Sequence, residues 1–139
     1  MSAVLLDTHA LVWSLLEPGL LSKDALACIK GSEIVYASVA SIYEIDFKRA
    51  AGRLRQGDGL LSRMPANMPG VLPMLGLTLL PLDAESAWRA ARLPIKHGDP
   101  WDRILVAQAL VLDVPLISCD VALTAATQTH PKTAGVIVY

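Results

Sequence analysis

Short, almost purely apolar runs alternate with longer stretches of helical pattern along the whole chain. The runs at residues 4–6, 33–37, 77–81, 115–118 and 135–139 predict five short strands. Strands that are joined through helices pair in parallel, and a parallel sheet needs helices over its faces. The alternation therefore predicts an α/β fold with a mostly parallel sheet, whose ligands bind beyond the carboxyl ends of the strands.

Capping and helix-breaking residues set the bounds of the predicted helices. One helix runs through Glu44 to residue 51, with either Ser38 or Ser41 as its N-cap. Three prolines interrupt residues 57–76, so that segment predicts short broken helices rather than one long helix. The other predicted helices cover residues 8–16, 22–30, 83–92 and 99–112 and a short stretch after residue 120.

The composition predicts a compact protein with a covered surface. The chain has 139 residues, and we expect residues 1–139 to form a single domain. Hydrophobic residues make up 53% of the chain, which predicts that a subunit or partner covers part of the surface. No apolar run approaches the roughly 18 residues of a membrane span, so no such span is expected. The start has no basic leader, so a signal peptide is not expected either. Two cysteines without metal or redox spacing predict reduced thiols and a cytoplasmic location.

Four acidic residues stand where an apolar strand gives way to a helix, or just inside that helix. They are Asp7, Glu44, Asp102 and Asp120. In a parallel sheet these positions meet at one edge, where converging carboxylates repel one another unless a cation compensates them. A hard divalent cation with oxygen ligands, Mg²⁺ with Mn²⁺ as a substitute, removes that conflict. The pattern therefore predicts a metal site and favours phosphate chemistry.

Each of these acids also has a purely structural interpretation. Asp7 and Asp120 can be helix N-caps, and Asp102 can interact with a helix dipole. Glu44 can form an ion pair with Lys48, four residues later. Caps, however, tolerate uncharged polar residues, whereas metal coordination requires charge, and the apolar neighbours of Glu44 favour a partnered carboxylate. The four acids together therefore favour a metal site.

Four segments of the sequence resemble, in order, the conserved blocks of PIN-domain ribonucleases. They are VLLDTHALVW, SVASIYEI, HGDPWDRILVAQA and ISCD. The similarity is greatest to the VapC-type toxins of bacterial toxin–antitoxin pairs, and the proline-interrupted middle matches least. By this resemblance the acidic residues of the family correspond to Asp7, Glu44, Asp102 and Asp120. Asp99 is an additional acid common in the subgroup, expected beside the metal rather than bound to it.

The resemblance implies a PIN-like three-layer α/β/α sandwich around a central, mostly parallel five-stranded sheet. It also implies a Mg²⁺-dependent endoribonuclease that hydrolyses RNA with activated water, forms a homodimer and is neutralised by a cognate antitoxin. Asp7 and Asp102 are the expected principal metal ligands, with Glu44 and Asp120 bound directly or through water.

Other polar residues receive supporting roles. Thr8 and Ser118 are expected to hydrogen-bond a carboxylate or a phosphate beside the metal, or to be ordinary polar groups at strand ends. His9 and His97 have no spacing that pairs them for zinc, so each is expected to orient a phosphate or to lie on the surface.

RNA contact must come from local basic residues, because the net charge is −1. A solvated helix face is the alternative for Lys48, Arg49 and Arg53, whereas the alternative for Arg103 is pairing with a neighbouring acid. The residues expected to contact RNA are Lys48, Arg49, Arg53 and Arg103.

Two other functions compete with the nuclease interpretation. A phosphoaspartyl-type hydrolase or receiver also has an Asp at a strand end, but hydrolases of that type have a second Asp where this chain has His9. A receiver would need an acidic pair just before the Asp of the first strand and a Lys at a strand end, and this sequence has neither. A non-catalytic PIN-like binding module usually lacks some of the acids, whereas all four positions are filled here.

Overall fold

The computed structural model describes residues 2–55 and 58–139. The strands are β1 (Ala3–Leu6), β2 (Ile34–Ser38), β3 (Thr78–Leu80), β4 (Leu116–Ile117) and β5 (Ile137–Val138). They lie side by side in the order β3-β2-β1-β4-β5, and every pairing among the described strands is parallel. The predicted α/β class with a parallel five-stranded sheet is confirmed.

Helices connect these strands and flank them. No helix within residues 2–55 and 58–139 combines the length and apolarity that crossing a membrane requires. In the described part of the chain, short 3-10 turns cover Pro18–Leu20, Gly59–Arg63 and Pro73–Leu75. The α-helices are α1 (Thr8–Leu16), α2 (Lys23–Lys30), α3 (Val39–Ala50), α4 (Met68–Val71), α5 (Ala84–Ala91), α6 (Pro100–Leu112) and α7 (Val121–Gln128).

Alternate side chains of the central strand face two separate hydrophobic clusters. Val4 and Leu6 of β1 belong to one cluster, while Leu5 belongs to the other. Helices α1 to α4 contribute buried side chains to the first cluster, and α6 and α7 contribute to the second. The sheet is therefore the middle layer of a three-layer α/β/α sandwich, as the resemblance implied.

The order of the strands reverses between β1 and β4. From β1 the chain adds β2 and then β3 on one side, and later β4 and β5 on the other. Such a reversal leaves a crevice at the carboxyl ends of the two central strands, where open parallel sheets bind ligands. The backbone N–H of Asp7 donates to the carbonyl oxygen of Ile117 at 3.0 Å, which joins the ends of β1 and β4 there.

Side-chain caps fix where the helices beside this crevice begin. Asp7, Asp99 and Asp120 are the N-caps of α1, α6 and α7, and each accepts a hydrogen bond from a backbone N–H of the first turn. Ser38, rather than Ser41, caps α3, because its Oγ accepts from a backbone N–H at 3.0 Å. The capping interpretation of Asp7 and Asp120 is therefore correct, and it coexists with their position at the crevice.

The ends of several elements differ from the prediction by a residue or two. Strands β4 and β5 are shorter than predicted, because their ladder covers only two residues of each strand. Apolar character continues beyond the last paired residue, so it overestimates strand length. Residues 58–76 contain α4 and two 3-10 turns, which confirms short broken helices there. Gly57, the first residue of that predicted segment, lies outside the described residues.

Candidate functional site

A cavity of about 300 Å³ opens at the carboxyl ends of β1 and β4. Residues from the β1–α1 turn, α3, the start of α6 and the β4–α7 turn meet there, so distant parts of the sequence share one volume. All four predicted acids line it. The lining residues are Asp7, Thr8, His9, Trp13, Glu44, Lys48, Asp99, Asp102, Cys119 and Asp120.

Asp7 is almost fully buried, with 5% of its surface exposed. Its Oδ1 accepts a hydrogen bond from the N–H of Ala10 at 2.7 Å. Burial raises the pKa of Asp7, because desolvation penalises the charged form. Hydrogen bonding by Ser118 and by the N–H of Ala10 and the electrostatic effect of His9 oppose this increase, whereas the charge of Asp120 adds to it. An ionised Asp7 is therefore costly unless a positive charge enters the cavity.

Glu44 has its negative charge balanced inside the protein. Its Oε1 accepts a hydrogen bond from the Thr8 hydroxyl at 2.7 Å, and its Oε2 lies 3.0 Å from Nζ of Lys48. The Ser41 hydroxyl lies 3.1 Å from that of Thr8 and helps to hold it in place. The ion pair proposed as the structural alternative thus exists, and it lies within the cavity itself.

Asp102 lies in the first turn of α6 with 20% of its side chain exposed. Its Oδ2 is 2.7 Å from Nε2 of His97. Burial raises the pKa of Asp102 to about 6, against the lowering effect of His97 and with smaller increases from the charges of Asp99 and Asp7. Near neutral pH this carboxylate is charged but poorly solvated, and a cation would stabilise it.

Asp102 forms a compact group with His97 and Asp120. One ligand atom of each residue lies within 4.8 Å of the others. Asp120 reaches this group from the N-cap of α7, where its Oδ1 accepts from the N–H of Leu123 at 2.9 Å. Asp7 is close enough for its charge to act on Asp102 and for the charge of Asp120 to act on it.

These donors fit a divalent cation. Carboxylate oxygens suit Mg²⁺ or Mn²⁺, and an imidazole nitrogen suits a transition metal. The raised pKa values of Asp7 and Asp102 mean that their negative charges are unfavourable in the protein alone. Capping explains Asp7 and Asp120 separately, but a cap needs only its own helix and does not require convergence on one cavity.

Two of the predicted RNA-contacting residues lie at or beside the cavity. Lys48 lines the cavity itself. Arg53 lines an adjacent groove of about 230 Å³, and this groove shares Glu44, Lys48 and Asp99 with the cavity. The guanidinium of Arg53 also lies 5.5 Å from the centre of the Phe47 ring.

The other two predicted RNA-contacting residues bind backbone carbonyls. Arg49 donates to the carbonyl oxygens of Met64 and Pro65. Arg103 donates to four carbonyl oxygens within residues 90–97, at 2.9–3.1 Å. For Arg103 this arrangement differs from both sequence-based alternatives, phosphate contact and pairing with an acid. Contact of either residue with RNA stays a prediction.

Sequence reasoning gave too little weight to His97 and Asp58. His97 was expected to orient a phosphate or to lie on the surface, yet it lies half-buried against Asp102. His97 stands two residues before Asp99, the N-cap of α6, and this position could have indicated that it lies near Asp102 in the first turn of that helix. Asp58 is buried, 3.6 Å from His9 and 4.0 Å from Lys48. Its segment predicts only short broken helices, so nothing in the sequence indicated this position.

Known proteins resemble the chain in sequence and in fold. A sequence model of the PIN domain matches residues 4–127. Among solved structures, one match is a chain of the crystal structure of VapBC2 from Rickettsia felis bound to a DNA fragment from their promoter. The TM-score is 0.62 and the identity 10%, over 98% of this chain and 97% of that chain, which shows a shared fold. No curated protein matches the sequence.

Proposed function

Because the chain belongs to the PIN-domain family, we propose that it is a metal-dependent endoribonuclease and the toxin of a toxin–antitoxin pair. The observation that carries this proposal is the convergence of Asp7, Glu44, Asp102 and Asp120 on one cavity at the sheet edge. The four sequence blocks that resemble VapC-type toxins support the toxin assignment. The fold shared with a chain of the VapBC2 structure supports it as well.

Asp7 and Asp102 are the proposed principal ligands of a Mg²⁺ ion, for which Mn²⁺ can substitute. Glu44 and Asp120 complete the site directly or through water. When bound, such a cation neutralises charge on the phosphate and activates water for attack on it. Burial of Asp7 and Asp102 strengthens their attraction to a cation, because fewer waters compete for the carboxylates.

Glu44 and Lys48 of α3 place a positive charge at the wall of the cavity, where an RNA phosphate would bind. Thr8 donates to Glu44, and Glu44 in turn fixes the ammonium of Lys48 at the cavity wall. Lys48 can therefore contact an RNA phosphate without rearrangement. Arg53, in the adjacent groove, extends this basic surface along the RNA backbone. Ser118, which stabilises the charged form of Asp7, and Asp99, which caps α6, keep the acids in position.

The proposal includes the partners that the family resemblance implies. We take residues 1–139 as a single cytoplasmic domain that forms a homodimer and binds a cognate antitoxin. Several large apolar side chains are exposed, including Leu20 at 54% and Trp88 at 61%, and a partner would cover such surface.

Substitution of Asp7 by Asn tests the nuclease directly. Asp7→Asn keeps a capping side chain but removes the charge, so Mg²⁺-dependent cleavage of RNA should fall on the order of 10³-fold. Asp83→Asn is the matched control, because Asp83 caps α5 in the same way and does not line the cavity. Circular dichroism checks that both variants fold. Cleavage by Asp7→Asn at the wild-type rate would refute the assignment.

Sequencing of the cleaved ends tests the type of reaction. By the family resemblance, hydrolysis by activated water is expected to leave a 5′-phosphate and a 3′-hydroxyl. A 2′,3′-cyclic phosphate would instead indicate attack by the RNA itself, and the proposed role of the cation would then be wrong.

A further inference from the structure

His97 lies within reach of two acids of the cavity. Its Nε2 is 2.7 Å from Oδ2 of Asp102, and a ligand atom of Asp120 lies within 4.8 Å of both residues. The other two histidines of the chain make different contacts. His9 is 3.6 Å from a different carboxylate, and His130 lies in the loop before β5.

The position of His97 is fixed through its backbone. The guanidinium of Arg103 donates to four carbonyl oxygens within residues 90–97, and one of these belongs to His97. Arg103 directly follows Asp102 on α6, so the same helical turn carries Asp102 and anchors the segment that carries His97. Imidazole and carboxylate are therefore positioned before any ion binds, which lowers the entropic cost of binding one.

An imidazole changes which cation a group of acids prefers. Carboxylates alone suit Mg²⁺, which takes oxygen ligands and keeps several waters. A nitrogen ligand favours transition metals over Mg²⁺. The geometry points to His97 as a metal ligand that, together with Asp102 and Asp120, makes this site select a divalent transition metal such as Mn²⁺ over Mg²⁺. This inference rests on the proposed metal-dependent function and adds a ligand and a preferred class of ion.

A hydrogen bond that orients Asp102 is the competing role of His97. Such a contact acts through the carboxylate, so it would support Mg²⁺ and Mn²⁺ alike. A nitrogen that binds the ion directly supports Mn²⁺ selectively. The two roles therefore differ in metal selectivity and in whether a nitrogen lies next to the ion.

Calorimetric titration of the purified chain with Mn²⁺ alone and with Mg²⁺ alone, without RNA, measures the selectivity. His97→Asn should lower the Mn²⁺ affinity by about 10-fold or more and the Mg²⁺ affinity by less than roughly threefold. His9→Asn is the matched control, because it removes an imidazole that lines the cavity but lies against Asp58 instead of Asp102, and it should keep the wild-type ratio of affinities. Equal losses of both affinities in His97→Asn would overturn the inference.

Electron spin echo spectroscopy of bound Mn²⁺ gives a second readout that does not depend on the stability of any variant. The wild-type protein and His9→Asn should show the nitrogen coupling of a directly bound imidazole, and His97→Asn should lack it. A wild-type spectrum without that coupling would exclude His97 as a ligand, whatever the titrations show.

The outcomes separate this inference from the proposed function. Nitrogen-coupled Mn²⁺ in a protein that cleaves no RNA supports the ligand assignment and refutes the nuclease. Mg²⁺-dependent cleavage with equal affinity for both metals and no nitrogen coupling supports the nuclease and refutes the role of His97.

Discussion

The two sides of the acidic cavity differ in which groups compensate the negative charge of their carboxylates. On the α3 side, formed by Thr8, Glu44 and Lys48, the carboxylate has a hydroxyl at 2.7 Å and an ammonium at 3.0 Å. On the α6 side, formed by His97, Asp102 and Asp120, the imidazole of His97 lies 2.7 Å from the carboxylate of Asp102, and a ligand atom of Asp120 lies within 4.8 Å of both. Within residues 2–55 and 58–139, no Lys or Arg forms an ion pair with either of these aspartates.

The carboxylate of the α3 side is already compensated inside the protein, whereas the carboxylates of the α6 side need a cation. A carboxylate that is paired inside the protein gains little from a metal ion, because its charge is already compensated. A desolvated carboxylate with a raised pKa, such as Asp102, gains much more. The α6 side should therefore determine cation affinity, while the α3 side presents Lys48 to the substrate.

The largest expected effect is on cleavage. Asp102→Asn should lower the single-turnover rate on RNA by about 10³-fold, because it removes a carboxylate that the protein does not compensate. Glu44→Gln should cost only about 10-fold, since it leaves the α6 side intact. Asp113→Asn, at the other end of α6, is the control and should cleave normally. Equal losses in Asp102→Asn and Glu44→Gln would remove the distinction between the two sides.

The next effect is the stabilisation that a bound cation provides. At about 100 times its Kd, Mg²⁺ or Mn²⁺ should add about 2.7 kcal/mol to the free energy of unfolding of the wild-type protein. Asp102→Asn should lose most of that gain and Glu44→Gln should keep it. Denaturant unfolding with the metal and with EDTA measures both. If Glu44→Gln lost the gain instead, the cation would depend mainly on the α3 side.

A third effect is the pH dependence of stability in EDTA. Asp102 has a pKa of about 6 in the folded protein against an ordinary value of 3.8, so the folded state holds this proton more tightly. Stability should therefore fall as pH rises from about 4 through about 6, by roughly 2 kcal/mol for this group after allowance for solvent screening. Burial of Asp7 acts in the same direction.

Asp102→Asn should flatten this dependence and should be more stable than the wild-type protein at pH 7 in EDTA. Urea unfolding from pH 4 to pH 8 measures both quantities. An unchanged slope in Asp102→Asn would show that the folded state does not hold the proton on this carboxyl.

Much of this architecture could be predicted because it follows from local patterns. Apolar runs and caps such as Asp99 before Pro100 depend on neighbouring residues, and alternation of strand and helix then requires a parallel sheet. The convergence of Asp7 and Asp120 followed from the same reasoning, since both stand at strand ends. The choice of Ser38 over Ser41 as a cap could not be made, because both residue types suit that position.

The partners of the acids could not be predicted, because they depend on side-chain packing between distant segments. Arg103 looked like a residue for phosphate contact, and only the path of residues 90–97 around it shows that four carbonyls occupy its guanidinium. The contact of His97 with Asp102 depends on that same path. Asp58 reaches Lys48 and His9 from the proline-interrupted segment, where short broken helices do not fix the direction of a side chain.

The smallest expected effect concerns the ion pair of the α3 side. Glu44→Gln keeps an acceptor for Thr8 but leaves the half-buried ammonium of Lys48 without its nearest carboxylate. The free energy of unfolding in EDTA should fall by about 1 kcal/mol. Lys48→Met, and the double variant with Glu44→Gln, complete a cycle whose coupling energy should be about 1 kcal/mol.

The sign of this change is more informative than its size. Glu44→Gln should destabilise the metal-free protein, whereas Asp102→Asn should stabilise it at pH 7, because Lys48 compensates the charge of Glu44 while burial raises the pKa of Asp102. If both substitutions raised stability, Lys48 would not balance Glu44 in solution. Glu44 would then need the cation as much as Asp102 does, and the site would have four equivalent ligands rather than a paired side and an unpaired one.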